Sequence, residues 1–319
     1  MAGSAPAATP SALPTADTCS AMRWVTLGTA GGPVPTADRS EPANLLVAGT
    51  ENILVDTGDG TVDQLTKQGL TLGPVHTVFI SHHHLDHLGG LAAVIGLRWM
   101  NQFPGILTVY GPPGTREIVD GVLNQLGPQS RIGFGLGQAP PPPGDSVRVV
   151  ELDGKHPVKI GELTVTAVPN SHFDAGGKAA AGSALSLSYR FQLGKRSITY
   201  TGDTGPSGAV EGLAEGTDML VSEVIDLDRL LAQIKAQRSD ASPEMLANMA
   251  KHLSTHHLLA SDIGTMAVRA NVGRIVLTHF AIPGALSESE RDIRSGVRQS
   301  YAGPLDLARD LSSFDLGFS

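Results

Sequence analysis

The sequence predicts an α/β fold in one domain, with sheets covered by helices, on three observations. Short apolar runs of strand character alternate with stretches of helical period through two successive halves of the chain. Neither an internal repeat nor a clear linker divides them. Histidines and aspartates gather where apolar runs give way to polar loops, the position from which α/β folds line their ligand crevices. The densest such end is residues 81–90, SHHHLDHLGG.

Taken in order, residues 23–28 read as a strand, and 43–48 and 52–56 as two more around the turn Gly49-Thr50-Glu51. Asp56-Thr57-Gly58-Asp59-Gly60 opens a short helix over 62–68. It carries neither the P-loop nor the dinucleotide fingerprint, so it reads as a loop near the site floor. Residues 76–81 form the strand that delivers the histidine run, and 88–102 a single helix with an apolar face. A strand over 107–111 and a helix over 115–126 precede the Pro- and Gly-rich connector 127–144. Strands follow over 147–152 and 163–168, then a hairpin of 184–193 and 196–201 around Gly194. A strand at 219–223 leads to helices over 227–238, 243–253 and 260–270. A strand over 274–280, a helix over 288–301 and a weak strand over 305–316 complete the chain.

Three histidines and a carboxylate fall at His82, His84, Asp86 and His87. Imidazole nitrogen and carboxylate oxygen are the ligands that zinc and related ions prefer. On a strand, His82 and His84 share one side and His83 points away. A helix after them can turn Asp86 and His87 toward a second ion. His172, Asp203 and His279 each close a later β-run. A lone histidine at a strand end is commonly a hydrogen-bonded structural residue, but several such ends in one chain point to one site. His76, His156 and His252 lack that context and read as ordinary. Asp56, after an early strand, is a candidate partner that orients a ligand histidine.

Lys and Arg number 23 against 31 Asp and Glu, a formal net charge of −8. That balance opposes a broad phosphate-binding surface and makes nucleic acid a disfavoured partner. No run approaches the ~20 apolar residues of a membrane span, so no membrane partner is expected. The single cysteine, Cys19, excludes an intramolecular disulfide. Residues 1–21 read as a disordered or extended segment ahead of one domain over 22–319. Their Ala, Pro, Ser and Thr content suits the flexible stretch behind a removed signal peptide. A periplasmic or secreted location is therefore expected, with the cytoplasm as the alternative.

The order His82-x-His84-x-Asp86-His87, then His172, Asp203 and His279, resembles the metallo-β-lactamase-fold hydrolases over nearly the whole chain. The resemblance implies a four-layer αββα sandwich with a metal pair in the groove between the sheets. One ion takes His82, His84 and His172, the other Asp86, His87 and His279, and Asp203 bridges both. It implies two zinc ions, with manganese or iron as substitutes. Residues 27–33, the turn Val55-Asp56-Thr57-Gly58, and His256-His257 ahead of Gly264-Thr265-Met266-Ala267 resemble the ribonuclease Z and arylsulfatase-like branch. In that branch an extra histidine stands seven residues before the small residue of this helix. His257 holds that position ahead of Gly264, with His256 as its rival.

Two such ions about 3.5–4 Å apart acidify a shared water, so the nucleophile exists near neutral pH. Asp86 beside the ions and His257 as donor to the leaving group are the catalytic candidates. The basic arm with which ribonuclease Z grips transfer RNA has no visible counterpart, since 127–144 carries little charge. With the acidic total, this directs the expectation to a small anionic or ester substrate. Phospho- and sulfoester hydrolysis is expected, extending to lactones or β-lactams. A ribonuclease Z-like RNA endonuclease is the alternative, and an iron-dependent oxidoreductase of the same fold is another. His84 argues against the latter, because flavodiiron sites favour a carboxylate there. By analogy with the branch, a homodimer is expected.

Overall fold

A computed structural model of the chain describes residues 21–317 apart from 33, 134, 136–139, 175–183, 239 and 241. One group of strands is β1 (Met22–Gly28), β2 (Ala43–Ala48), β3 (Glu51–Thr57), β4 (Val75–Phe79), β5 (Leu107–Gly111) and β6 (Val147–Glu151). The other is β7 (Val158–Ile160), β8 (Leu163–Pro169), β9 (Leu187–Leu193), β10 (Arg196–Tyr200), β11 (Met219–Ile225), β12 (Ile275–Ala281) and β13 (Leu305–Leu307). The last strand, β14 (Ser312–Leu316), rejoins the first group. The two sheets run β14-β1-β2-β3-β4-β5-β6 and β13-β12-β11-β10-β9-β8-β7.

Period-2 alternation explains the layers. In β1, Met22 and Trp24 face the core between the sheets, while Val25 and Leu27 face the helices outside. In β4, Phe79 points inward and Val78 outward. In β11, Met219 and Val221 point inward and Leu220 outward. Both faces are buried, so these strands read as continuous apolar runs. Trp24, Phe79, Tyr189, Phe191 and Tyr200 fill the space between the sheets, with Phe79 edge-on to Tyr189 and Phe191 at 5.2 and 5.5 Å between centroids.

Helices α1 (Thr61–Lys67), α2 (Leu85–Leu88), α3 (Leu91–Met100) and α4 (Thr115–Leu126) belong to the first half. Of these, α1, α3 and α4 cover the first sheet through Leu65, Val94, Ile95 and Val119. In the second half, α5 (Gly208–Leu213), α6 (Leu227–Gln237), α7 (Pro243–His256), α8 (Ala260–Arg269) and α9 (Leu286–Arg298) follow. Val210, Ile263, Ala267, Ile293 and Val297 carry α5, α8 and α9 onto the second sheet. The architecture is the four-layer αββα sandwich.

Three details depart from the sequence reading. The single helix expected over 88–102 is split into α2 and α3. At Gly90 the chain passes so near Gly58 that a Cβ would lie 2.4 Å from its carbonyl oxygen. The strand expected over 305–316 is two strands in different sheets. Asp310 between them accepts from Thr29 N (3.0 Å) and Oγ1 (2.7 Å), Ser40 N (2.7 Å) and Gln64 Nε2 (2.9 Å), which ties the crossing to the loop after β1. Strand β7 and helix α5 were not expected. The first has only three residues, and the second opens on glycine and is started by Ser207, whose side chain accepts from Val210 N. Cys19 and the expected N-terminal segment, residue 21 excepted, lie outside the described residues. Among the described residues no helix is long and apolar enough to cross a membrane.

Candidate metal and catalytic centre

One edge of the sandwich collects the ends of β3, β4, β8, β10, β11 and β12, and the candidate side chains arrive there from these ends, from α2 (Asp86 and His87) and from the end of α7 (His257). Two arrive on bulges. β2 pairs Ala43 with Thr57 and Asn44 with Val55, which skips Asp56. β11 pairs Ser222 with Leu277 and Val224 with Phe280, so Thr278 and His279 oppose Glu223 alone. Asp56 and His279 accordingly adopt φ of 57° and 43°. That left-handed backbone costs a non-glycine residue about 1–3 kcal/mol and persists where surrounding contacts enforce it. Bulges re-aim side chains, and here they turn both residues into the groove. His82 and His84 were expected on a strand, but β4 ends at Phe79 and they lie on the segment after it. His84 is still extended, with φ −67° and ψ 146°, so the same-side relation persists. His83 points away, to Thr115 Oγ1 at 2.9 Å.

The ligand candidates form two groups that share one carboxylate. His84 Nδ1 lies 3.0 Å from His82 Nε2 and 3.2 Å from His172 Nε2. In the second group, Asp86 Oδ2 lies 3.5 Å from His87 Nε2 and 3.7 Å from His279 Nε2. Asp203 divides its oxygens between them. Its Oδ1 is 3.3 Å from His87 Nε2 and 3.1 Å from His279 Nε2. Its Oδ2 is 4.0 Å from His82 Nε2 and 3.9 Å from His172 Nε2.

These side chains fit a divalent cation. His87 Nε2, Asp203 Oδ1 and both ring nitrogens of His279 are buried without a hydrogen bond, which a protein-only site leaves at a cost of about 1–3 kcal/mol per group. The outer nitrogens are already committed. His82 Nδ1 meets Ser81 Oγ at 3.0 Å, and His172 Nδ1 meets the His256 carbonyl at 3.0 Å. Each ring thus presents its Nε2 lone pair to the groove. Burial pushes His82 well below the usual imidazole range and His172 down to about 4, so both are neutral at pH 7. Burial opposes the charge on Asp203, but the imidazoles of His279 and His87 outweigh it and hold the carboxyl well below its ordinary range.

Asp56 supports this arrangement from beneath. Its Oδ2 accepts from His87 Nδ1 (2.8 Å), Ser81 Oγ (2.8 Å) and Tyr200 OH (2.8 Å), and its Oδ1 accepts from Ser81 N (2.7 Å). Asp56→Asn keeps the shape and tolerates the positive φ but removes the charge. It is expected to fold and to lose about 10–100-fold in zinc affinity, measured by competition with a chromogenic chelator.

His257 stands at the C-terminal end of α7, and its ring centroid lies 5.0 Å from that of His172 and 6.5 Å from that of His279. Its Nδ1 donates to Glu223 Oε2 at 2.7 Å. Burial alone would lower the His257 imidazolium, but the Glu223 carboxylate outweighs it and the group is pushed up to about 9. His256 turns the other way and meets the His172 carbonyl through Nδ1 at 2.5 Å. Geometry therefore distinguishes His257, the candidate that the sequence names, from its rival His256. Glu223 was missed. It is fully buried, and its Oε1 accepts from Thr204 N at 2.5 Å. The available signal was an acid inside the otherwise apolar run 219–225. Gly205 sets the approach of this segment, because a Cβ there would lie 1.7 Å from the Thr255 carbonyl oxygen. Gly205→Ala is expected to cost about 1–3 kcal/mol in thermal unfolding and to lower turnover by displacing His257.

Comparison with known proteins agrees with this geometry. The model of the β-lactamase superfamily domain matches residues 51–280. A ribonuclease Z from Mycobacterium avium is 30% identical over 296 residues, covering 91% of this chain and 97% of the relative. The metallo-β-lactamase-fold protein YhfI from Bacillus subtilis superposes with a TM-score of 0.67 at 18% identity, covering 93% of this chain and all of that one. The short form of human tRNase Z superposes with 0.62 at 21% identity, again over 93% and 100%.

These relatives overturn two expectations. A small phospho- or sulfoester substrate, and nucleic acid as a disfavoured partner, do not stand beside ribonuclease Z relatives that span almost the whole chain. The error lay in treating a total charge as a local field: the −8 is summed over the whole chain, whereas a divalent cation held by the groove's ligands would add positive charge where a phosphate sits. The chain belongs to the β-lactamase superfamily domain family, as a metal-dependent hydrolase of its ribonuclease Z branch.

Proposed function

We propose that the protein is a ribonuclease Z-like RNA endonuclease whose centre holds two zinc ions. The observation that carries the two-ion reading is Asp203, whose oxygens face different ligand groups, with the His257–Glu223 pair beside them. His82, His84 and His172 would hold one ion, Asp86, His87 and His279 the other, and Asp203 both. All-nitrogen and oxygen donors suit zinc. The ions would supply Lewis-acid charge for the phosphodiester oxygens and a water acidic enough to react near neutral pH.

The chain's own residues supply the rest. Asp203 sets the separation of the two ligand groups. Asp86, whose side chain is only 7% exposed, orients the attacking water and accepts its hydrogen bond. Glu223 keeps His257 protonated at neutral pH, and His257 gives that proton to the leaving oxygen. The relatives' names support RNA as the substrate. The test incubates zinc-loaded protein with a transfer RNA transcript extended at its 3′ end, beside an aryl sulfate. Discrete cleavage of the RNA supports the proposal. Turnover of the sulfate with the RNA intact overturns it.

A further inference from the structure

The two ligand groups are held from outside in different ways. In the second, His87 Nδ1 donates to the buried Asp56 carboxylate at 2.8 Å. In the first, His82 Nδ1 meets Ser81 Oγ and His172 Nδ1 meets the His256 carbonyl, both at 3.0 Å. His84 has no such support. Its Nδ1 is turned inward, 3.0 Å from His82 Nε2 and 3.2 Å from His172 Nε2, and among the described residues its side chain has no other hydrogen bond. It is also the exposed member of its group, while His82 and His172 are buried. A ligand histidine is ordinarily oriented by a hydrogen bond at its outer nitrogen, and removing that partner weakens metal binding. His84 therefore needs another means of being held.

Phe173 supplies it. Its ring stands nearly perpendicular to the His84 imidazole, with 5.1 Å between centroids and 89° between planes, the edge-to-face arrangement that aromatic quadrupoles favour. The same ring packs on the other two histidines of the group, 5.6 Å from His82 and 4.7 Å from His172. Phe173 is half-buried, and the turn that carries it is fixed. Asp174 N donates to the Ser171 carbonyl at 3.2 Å, His172 N to Asn170 Oδ1 at 3.1 Å, and Asn170 Nδ2 to Ser188 Oγ at 3.1 Å. For an ion to leave the first group, a ligand must swing away and water or a competing ligand must take its place. His84, exposed and bonded on one side, is the ligand freest to do so. An apolar ring fixed against it opposes both the rotation and the entry of water.

We propose that Phe173 is a positioning residue that retains the first ion by holding His84 in its ligating orientation. The inference rests on the two-zinc reading above and adds that the two ions are secured by different means. The second group leans on the charge of Asp56, and the first on an apolar ring.

The test mixes the zinc-loaded full chain with excess 4-(2-pyridylazo)resorcinol and follows zinc release by absorbance. Wild-type protein should release two equivalents. Phe173→Ala should release one of them about tenfold faster or more, the scale on which supports of a metal ligand act, and the other at the wild-type rate. Phe173→Tyr, which keeps the ring, should restore the slower release. His84→Ala, which strips a ligand from the first group, should hold one equivalent and release it at the rate that Phe173→Ala left unchanged. The thermal midpoint of the metal-free protein should be the same in Phe173→Ala and wild type. Unchanged release of both equivalents in Phe173→Ala, or failure of Phe173→Tyr to restore the rate, overturns the role. Equal acceleration of both equivalents with a lowered midpoint marks a purely structural residue and overturns it too. A wild-type chain that holds one equivalent overturns the two-zinc reading and this inference with it.

Discussion

Asp203→Ala is expected to reduce phosphodiester turnover by roughly 10³-fold or more while leaving the sandwich folded. Asp203 reaches both ligand groups, at 3.1 Å from His279 Nε2 on one side and 3.9 Å from His172 Nε2 on the other. Each group keeps three other ligands but loses the shared carboxylate, so metal is held more weakly and nothing fixes the distance between the ions. Metal charge at a reacting phosphoryl oxygen is worth several kcal/mol, and about 1.4 kcal/mol is a factor of ten in rate. The fold should persist because the apolar cores of both sheets lie below the groove and do not involve Asp203. Circular dichroism and kcat on bis(p-nitrophenyl) phosphate check the two halves of this expectation. A variant that turns over within tenfold of wild type contradicts the bridging role.

His257→Ala should separate catalysis from metal binding. His257 faces the groove but is not among the residues assigned to either ion, so both ions should be retained. Loss of one positioned proton donor costs about 10²–10⁴-fold, and the loss should fall on kcat rather than KM. Glu223→Gln gives the finer signature. The Glu223 carboxylate raises the His257 pKa against the opposing effect of burial. Without it burial prevails, the imidazolium deprotonates earlier, and the alkaline limb of kcat moves to lower pH. Because the two residues act as one unit, the double variant should be little worse than His257→Ala alone. An alkaline limb that stays in place in Glu223→Gln contradicts the pairing.

The sequence discloses the ligands more readily than the residues that make them useful. His82, His84, Asp86 and His87 are compact in sequence because an extended segment running into one helical turn presents them within six residues. His172, Asp203 and His279 are legible as polar endings of apolar runs, and they do converge. Glu223 gives no such sign. It lies inside β11, its neighbours on either side are apolar or small, and its partner His257 comes 34 positions later. In the sequence only the spacing to Gly264 favours His257 over His256, and their surroundings become distinct where α7 ends and the backbone turns extended. The bulges at Asp56 and His279 are equally silent, because both residues are common in turns and neither flanking run contains a glycine.

The layers of the fold follow from alternation in strands buried on both sides, which composition and periodicity show well. The split of 305–316 between two sheets does not, since Asp310 organises it through contacts with residues some 250–280 positions earlier in the chain. The substrate was the least legible feature. Net charge is a sum over the chain, and the groove is governed by a few buried groups and by ions that no residue count includes.

Elemental analysis of the purified chain after exhaustive dialysis tests the central claim most directly. Two ligand groups joined by Asp203 predict about two zinc equivalents per chain, the stoichiometry of a two-metal hydrolytic site, falling below one in Asp203→Ala. One equivalent or less in the wild-type protein under zinc-replete conditions, or an unchanged content in Asp203→Ala, would contradict it.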